Sequence, residues 1–215
     1  MTGVGRTATR LAGAVLVVGT AIMLVGAALP LLTGLGLEAW TADWDRKLDV
    51  VIGNSTAWRV ANGLIIFGAV VTVVGIALVA NLLRDLNRPS EAAAAVALFP
   101  VGVALEAVSR TANMTTTVWA AEAKAAGDTS YRLFEVIDQW RALMGDLFLI
   151  LASVALVVIG FGFQRTGQVA LGLLGLFFGG IALLLAAVSA LFPAVVFLGT
   201  AALGAALLLT TSPDP

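Results

Sequence analysis

Residues 92–119 read AAAAVALFPVGVALEAVSRTANMTTTVW, an apolar run interrupted by one acid and one base. A hydrocarbon core of about 30 Å needs about 20 helical residues, so this run is long enough to cross it. Five further runs are similar, and the predicted spans cover residues 11–33, 58–83, 92–119, 140–163, 168–190 and 192–210. None alternates as barrel strands do, which leaves helices to satisfy the backbone in lipid. We therefore predict an all-α, polytopic membrane protein, one six-helix bundle spanning residues 1–215.

The composition agrees with this class and excludes several others. Of the 215 residues 60% are hydrophobic and only 12% are charged, whereas soluble domains average about 45–50% and about 25%. This excludes a disordered chain, a nucleic-acid binder and a water-soluble enzyme. The sequence contains no cysteine and no histidine, the side chains that hold most zinc, haem and iron–sulfur centres. We predict no cofactor and no bound metal.

The basic residues indicate an orientation. The first apolar run is longer than the 7–15 residues of a signal-peptide core, so we interpret it as a membrane anchor. Arg84 and Arg88 crowd the short loop between the second and third spans, whereas Arg46 and Lys47 lie among acids in a longer loop. Because cytoplasmic loops are enriched in arginine and lysine, both termini are expected in the cytoplasm of a plasma-membrane protein.

The first outer loop contains a predicted short helix. Trp40, Trp44, Leu48 and Val51 recur at helical spacing and form one apolar face, with charged residues opposite. Such a helix is typical of the membrane interface, where its tryptophans would reach the headgroups. Two interpretations remain open: an interfacial anchor, or a lid over a cavity that opens outward.

The third span carries a polar stripe. Gly102, Glu106, Arg110, Asn113 and Thr117 are spaced by three or four residues and share one helix face. An ionisable residue at the bilayer centre costs about 2.5–3.5 kcal/mol on the insertion scale. The stripe is therefore expected to face other helices or water rather than lipid.

A partner for this stripe is expected on the fourth span. Asp146 is predicted to lie at a depth similar to that of Arg110, and Glu106 can reach Arg110 across one helical turn. Asn62 on the second span lies near the same depth. We predict two carboxylates around one guanidinium in the outer half of the bundle. The candidate ligand- or proton-binding residues are Glu106, Arg110, Asp146, Asn113 and Asn62.

Two functions are compatible with this stripe. Glu106 could be a desolvated carboxylate that exchanges a proton or contacts a small ligand in an outward-facing pocket. Alternatively, the ion pairs only fix helix register, in an interaction or assembly subunit without catalytic activity. The expected partner is the lipid bilayer, and a homo-oligomer or a second membrane protein stays open. An intramembrane enzyme is disfavoured because no recognisable nucleophile or metal site is present.

The arrangement resembles a family of six-span prokaryotic integral membrane proteins known as a domain of unknown function. The similar segments are Ala104–Ala107 in the third span, Gly145–Leu149 in the fourth, the turn Gln164–Gly167 and the following Gly172–Gly175. The resemblance implies six spans and a buried carboxylate, and it implies no activity.

Overall fold

The computed structural model describes residues 3–187 and 194–210. This part of the chain folds into eight α-helices and one 3₁₀ helix and contains no strand. The α-helices are α1 (Gly3–Leu32), α2 (Glu38–Thr41), α3 (Trp44–Ile52), α4 (Ser55–Asp85), α5 (Pro89–Ala125), α6 (Phe134–Arg165), α7 (Val169–Ala187) and α8 (Ala194–Leu209). The 3₁₀ helix, Thr129–Leu133, precedes α6.

Five helices within the described ranges are long and apolar enough to cross a bilayer: α1, α4, α5, α6 and α7. The predicted all-α bundle of membrane type is therefore confirmed. The sixth predicted span corresponds to α8, which is apolar but only 16 residues long. The predicted turn between residues 190 and 192 lies outside the described residues.

The large helices form a ring. α1 packs on α4, α4 on α5, α5 on α6, α6 on α7 and α7 on α8, and α8 returns to α1. The interior of the ring is filled by buried apolar side chains, the largest of which include Phe99, Phe148, Phe163, Leu16 and Ile76. Excluding lipid from these side chains and packing them closely is what holds helices together in a bilayer, where lipid tails are as apolar as the core.

Two tight turns align the helices at one end of the ring, which we call the inner end. Three residues join α4 to α5 and three join α6 to α7. Asn87 and Gly167 take left-handed φ values of 61° and 82°. The residue that follows Asn87 or Gly167 donates its N–H to the carbonyl of the residue five positions before it, at 2.8 Å in the first turn and 3.1 Å in the second. This hydrogen bond is typical of a Schellman cap. The excess length of the long helices must therefore extend beyond the other, outer end.

The outer end of the ring is uneven. Gly175 on α7 lies against Leu156 and Gly160 on α6, and α7 ends twelve residues later, after about 18 Å of helix. Because the two helices are antiparallel, α7 ends at about the level of Asp146. α6 continues outward from there to Phe134, about 18 Å further. α4, α5 and α6 thus overhang α7 on the outer side.

The helices α2 and α3, which we call the cover, lie over this overhang. The predicted helix of the first outer loop is present only in part: Trp44, Leu48 and Val51 lie on α3, whereas Trp40 lies on α2. The apolar face of α3 packs on protein. Leu48 and Val51 are fully buried, Leu48 with Phe134 and Val51 with Trp58. The prediction that this face turns toward headgroups is corrected, because α5, α6 and α4 offer it a protein surface.

Glycines set the closest helix contact. α1 and α4 meet where Gly19 and Gly68 face each other, and a methyl carbon at Gly68 would lie 2.6 Å from the Gly19 carbonyl oxygen. Gly63 on the same helix α4 is different, since a methyl carbon there meets no atom within 4 Å.

We expect Gly68→Ala to destabilise the protein by about 1–3 kcal/mol, because the added methyl group forces α1 and α4 apart. The matched variant Gly63→Ala should be neutral, or stabilising by about 0.5–1 kcal/mol, since alanine is the better helix former. Thermal unfolding of both variants in detergent micelles measures the difference. Equal melting temperatures for the two variants would contradict this helix contact.

Candidate functional site

A buried carboxylate lies between α5 and α6. Glu106 is 1% exposed, and its Oε1 accepts a hydrogen bond of 2.7 Å from Nε of Arg110, one turn further out on the same helix. The other oxygen, Oε2, makes no hydrogen bond to the described residues. It points toward Gly145 on α6, where a methyl carbon would lie 4.0 Å from it. The buried ion pair expected from the sequence is present, within α5.

Asp146 does not join this ion pair, which corrects the predicted arrangement of two carboxylates around one guanidinium. Within residues 3–187 and 194–210 its carboxylate makes no ion pair and no hydrogen bond. The reason is helix register. Glu106 lies level with Gly145, and Ser109 donates to the carbonyl of Arg141 at 3.1 Å. Arg110 is therefore opposite residues 140–141, about 7 Å further out than Asp146.

The two predicted asparagines contact each other. Asn113 on α5 donates from Nδ2 to Oδ1 of Asn62 on α4 at 3.2 Å, and both are buried. Asn62 donates in turn to the carbonyl of Trp58, whose indole N–H donates to the carbonyl of Asn113 at 2.9 Å. Thr117 donates to Oδ1 of Asn113 at 3.0 Å. This asparagine network is closed on itself and joins α4 to α5.

A second group of charges lies next to Arg110. Lys47 of the cover donates from Nζ to Oδ1 of Asp138 on α6 at 3.2 Å, and its side chain is only 6% exposed. The same oxygen accepts a hydrogen bond from Nε of Arg141 at 2.9 Å and forms an ion pair with its Nη2, also at 2.9 Å. Glu106, Arg110, Lys47, Asp138 and Arg141 are called the polar cluster below. One carboxylate, that of Asp138, thus holds the cover on α6.

The pKa of Lys47 is lowered by this environment. Burial is the main cause, and the nearby positive charges of Arg141 and Arg110 act in the same direction. Asp138 raises the pKa of Lys47 but does not offset these effects. Arg110 has the smallest of these effects, and the two groups are neighbours because Ser109, next to Arg110, contacts the backbone of Arg141.

Aromatic and charged contacts fix the rest of the cover. The guanidinium of Arg110 lies over the ring of Trp40, 5.3 Å from its centroid. Trp40 also packs on Trp58 and donates its indole N–H to the carbonyl of Ala27 at 3.0 Å. Lys124 at the end of α5 pairs with two acids of the cover, Asp45 at 2.9 Å and Asp49 at 2.8 Å.

The composition of the polar cluster defines what it can bind. No group of three or more metal-ligating side chains occurs in the described part of the chain. The cluster instead offers charged hydrogen-bond donors and a carboxylate oxygen, which suit small polar molecules or a proton. A cavity of about 430 Å³ lies elsewhere, at the inner end, lined by residues that include Thr9, Asp85 and Gln168.

Lys47, Asp138, Arg141 and Trp40 were not among the candidate site residues. The spacing of Asp138 and Arg141 (i, i+3) was a usable signal, because such residues are neighbours on a helix. Lys47 precedes Val51 by four residues and so lies beside the apolar face of α3. Its burial depends on Asp138, 91 positions away, and sequence spacing contains no signal for that contact.

The chain was also compared with known proteins. No protein-family model, no curated protein and no solved structure matches it. The resemblance noted in the sequence therefore depends on its short motifs alone, and the site has to be interpreted from its own geometry.

We expect the lowered pKa of Lys47 to make stability rise with pH. Between the folded pKa and the usual 10.5 the unfolded chain binds more protons than the folded one, so folding is favoured as pH increases. The free energy of unfolding of the wild type, minus that of Lys47→Gln, should increase as the pH rises towards 10.5.

Unfolding by sodium dodecyl sulfate in mixed micelles measures this difference. Arg46→Gln is the matched control, because Arg46 lies on the same helix and its side chain is exposed. A difference that is constant or falls with pH would contradict the burial of a charged Lys47.

Proposed function

We propose that this chain is an integral membrane protein that binds a small polar ligand or a proton at the polar cluster, beneath the cover. We further propose that the protein can pass this ligand or proton through the outer half of the bundle. The observation that carries this proposal is the carboxylate of Glu106. It is 1% exposed, and one of its two oxygens has no hydrogen-bond partner among the described residues. A buried carboxylate with free acceptor capacity readily takes up a proton or a donor group.

The depth of the cluster supports a site reached from the outer side. Glu106 lies seventeen residues from the start of α5 at Pro89, or about 26 Å along the helix, and Arg110 lies about 32 Å along it. If the inner turns mark one boundary of a hydrocarbon core of about 30 Å, the ion pair lies at the other boundary. Burying these charges then costs less than it would at the bilayer centre.

We further propose that α8 is a sixth crossing and that both termini face the cytoplasm at the plasma membrane. α8 completes the ring between α7 and α1, and Gly13 and Gly204 bring α1 and α8 into close contact. Arg84 and Arg88 lie at the inner end, which favours a cytoplasmic inner end. The cover then lies on the outer surface, level with the headgroups or beyond them.

The absence of cysteine from the sequence makes this topology directly testable. Ser90→Cys at the inner end and Ala126→Cys at the outer end both replace exposed residues. In intact cells a membrane-impermeant maleimide should label position 126 and leave position 90 unlabelled until the membrane is opened. The reverse pattern would contradict the orientation, and equal labelling of both sites would contradict the crossing of α5.

The alternative is that the cluster is purely structural, in an interaction or assembly subunit. The asparagine network favours it, because Asn62, Asn113, Thr117 and Trp58 satisfy one another with no group left for a ligand. In that case the role of Glu106 would be to hold Arg110, and removing its charge would cost about 3–5 kcal/mol.

Glu106→Gln separates the two functions. Its amide oxygen can still accept from Arg110, while its proton-binding capacity is lost. On the proposed function, wild-type proteoliposomes conduct protons, or the melting temperature of the purified protein rises with ammonium ions, carboxylates or polyols. Glu106→Gln should lose the response to protons, ammonium ions or polyols, because their binding uses its carboxylate. Asp146→Asn is the matched control, because Asp146 makes no ion pair in the described part of the chain.

The double variant Glu106→Gln/Arg110→Gln removes both charges of the pair and keeps the test valid if the single variant folds poorly. It should melt near the wild-type temperature and give no response. If the wild type neither conducts protons nor responds to any of the solutes, the proposed function is wrong. A stability loss in Glu106→Gln with an unchanged response would support the structural alternative.

A further inference from the structure

We propose that the ligand of the polar cluster is an oxyanion, a carboxylate or phosphate group, bound end-on by the guanidinium of Arg110. This inference depends on the proposed function and names the class of ligand for the same site. It is carried by the hydrogen-bond donors of the cluster that have no acceptor and by the balance of its charges.

The cluster contains more positive than negative charge. Lys47, Arg110 and Arg141 carry three positive charges, against the two carboxylates of Glu106 and Asp138. Glu106 pairs with Arg110 through one of its two oxygens, and Asp138 is shared between Lys47 and Arg141. The excess positive charge is therefore not balanced by a group within the cluster.

The neighbouring acids of the cover pair with other cations and not with Arg110 in the described part of the chain, although Asp45 and Asp49 bring two negative charges to the single Lys124. On the cover, Asp45 and Asp49 are paired with Lys124, and Glu38 is paired with Arg46 at 3.0 Å. Asp146 lies about 7 Å inward of Arg110 along α6 and makes no ion pair in the described ranges. Among the described residues, no carboxylate other than that of Glu106 pairs with Arg110, so an incoming anion can pair with its terminal nitrogens.

The geometry of Arg110 suits such a partner. Only its Nε is used, on Glu106, and its two terminal nitrogens donate to no other described residue. One face of the guanidinium is covered by the ring of Trp40, which leaves the end of the planar group free. The two parallel N–H groups at this end match the two oxygens of a carboxylate or phosphate.

The site can be reached from water. The side chain of Arg110 keeps 13% of its surface exposed, whereas Glu106 beneath it keeps 1%. An anion entering beside Trp40 would therefore meet the guanidinium first and the carboxylate of Glu106 only at greater depth. The guanidinium of Arg110 is thus buried enough to strengthen a charge-assisted hydrogen bond, while the site is not completely closed.

Quenching of Trp40 fluorescence tests the inference, because this ring lies against Arg110. The fluorescence of Trp40 is obtained as the difference between the emission of the wild type and that of Trp40→Phe, both in phosphatidylcholine nanodiscs. The positive charges of the cluster should attract iodide and repel caesium ions. Iodide should therefore quench Trp40 about tenfold more efficiently than caesium does. Acetate or inorganic phosphate, at constant ionic strength, should then protect Trp40 from iodide.

Three variants and one change of lipid complete the design. Arg110→Gln should lose the preference for iodide, whereas Arg132→Gln, which removes an exposed arginine at the same outer end, should keep it. Arg110→Lys retains the charge and the contact with Glu106. It should keep quenching by iodide but lose protection by acetate, since lysine lacks the planar fork. If phosphatidylglycerol in the nanodisc protects Trp40 from iodide and neither acetate nor inorganic phosphate does, the oxyanion is a lipid phosphate.

Equal quenching by iodide and caesium, or iodide quenching that no oxyanion reduces, would overturn the inference. A preference for caesium that Glu106→Gln abolishes would also overturn it, and would leave a cation or proton site as proposed above. A result that rules out oxyanion binding can therefore be distinguished from a result that rules out the proposed function.

Discussion

The register of α5 against α6 is the constraint on which the site depends. Gly102 lies against Phe148 and Ala152, and Gly145 leaves space for the carboxylate of Glu106. At this close approach the helices cannot slide without a backbone clash, so the depth of each polar side chain is fixed. The same register separates Arg110 from Asp146 and brings Ser109 to the carbonyl of Arg141. The ion pairs Glu106–Arg110 and Asp138–Arg141 each lie within one helix, and this alignment decides that they lie next to each other.

The length of the helices explains why charges collect at the outer end. Tight inner turns leave the excess length of α4, α5 and α6 on one side, where α7 no longer covers them. The exposed ends would otherwise present backbone and polar side chains to the boundary of the bilayer. The cover packs onto them with Leu48 and Val51 and closes the charges beneath it. An overhang of this kind combines low polarity with access from water, which are the conditions that perturb ionisable groups.

The sequence was sufficient for the contacts within a single helix and insufficient for those between helices. Apolar length predicted the helices, and the spacing of Glu106 and Arg110 indicated their ion pair, because both depend on local geometry. The pairing of Asp146 with Arg110 was wrong because register across α5 and α6 is set by glycine contacts. Lys47 was placed among acids in the first outer loop, and its burial depends on Asp138, 91 positions away.

The central claim is that the cover is folded onto the polar cluster and held there by Asp138. Amide hydrogen exchange of residues 44–52 in the reconstituted protein tests it most directly. The account predicts slow exchange in the wild type. In Asp138→Asn it predicts faster exchange there, with no change in residues 69–80 of α4. Exchange of residues 44–52 at the rate of an unstructured peptide in the wild type would contradict the account, and so would protection that Asp138→Asn leaves unchanged.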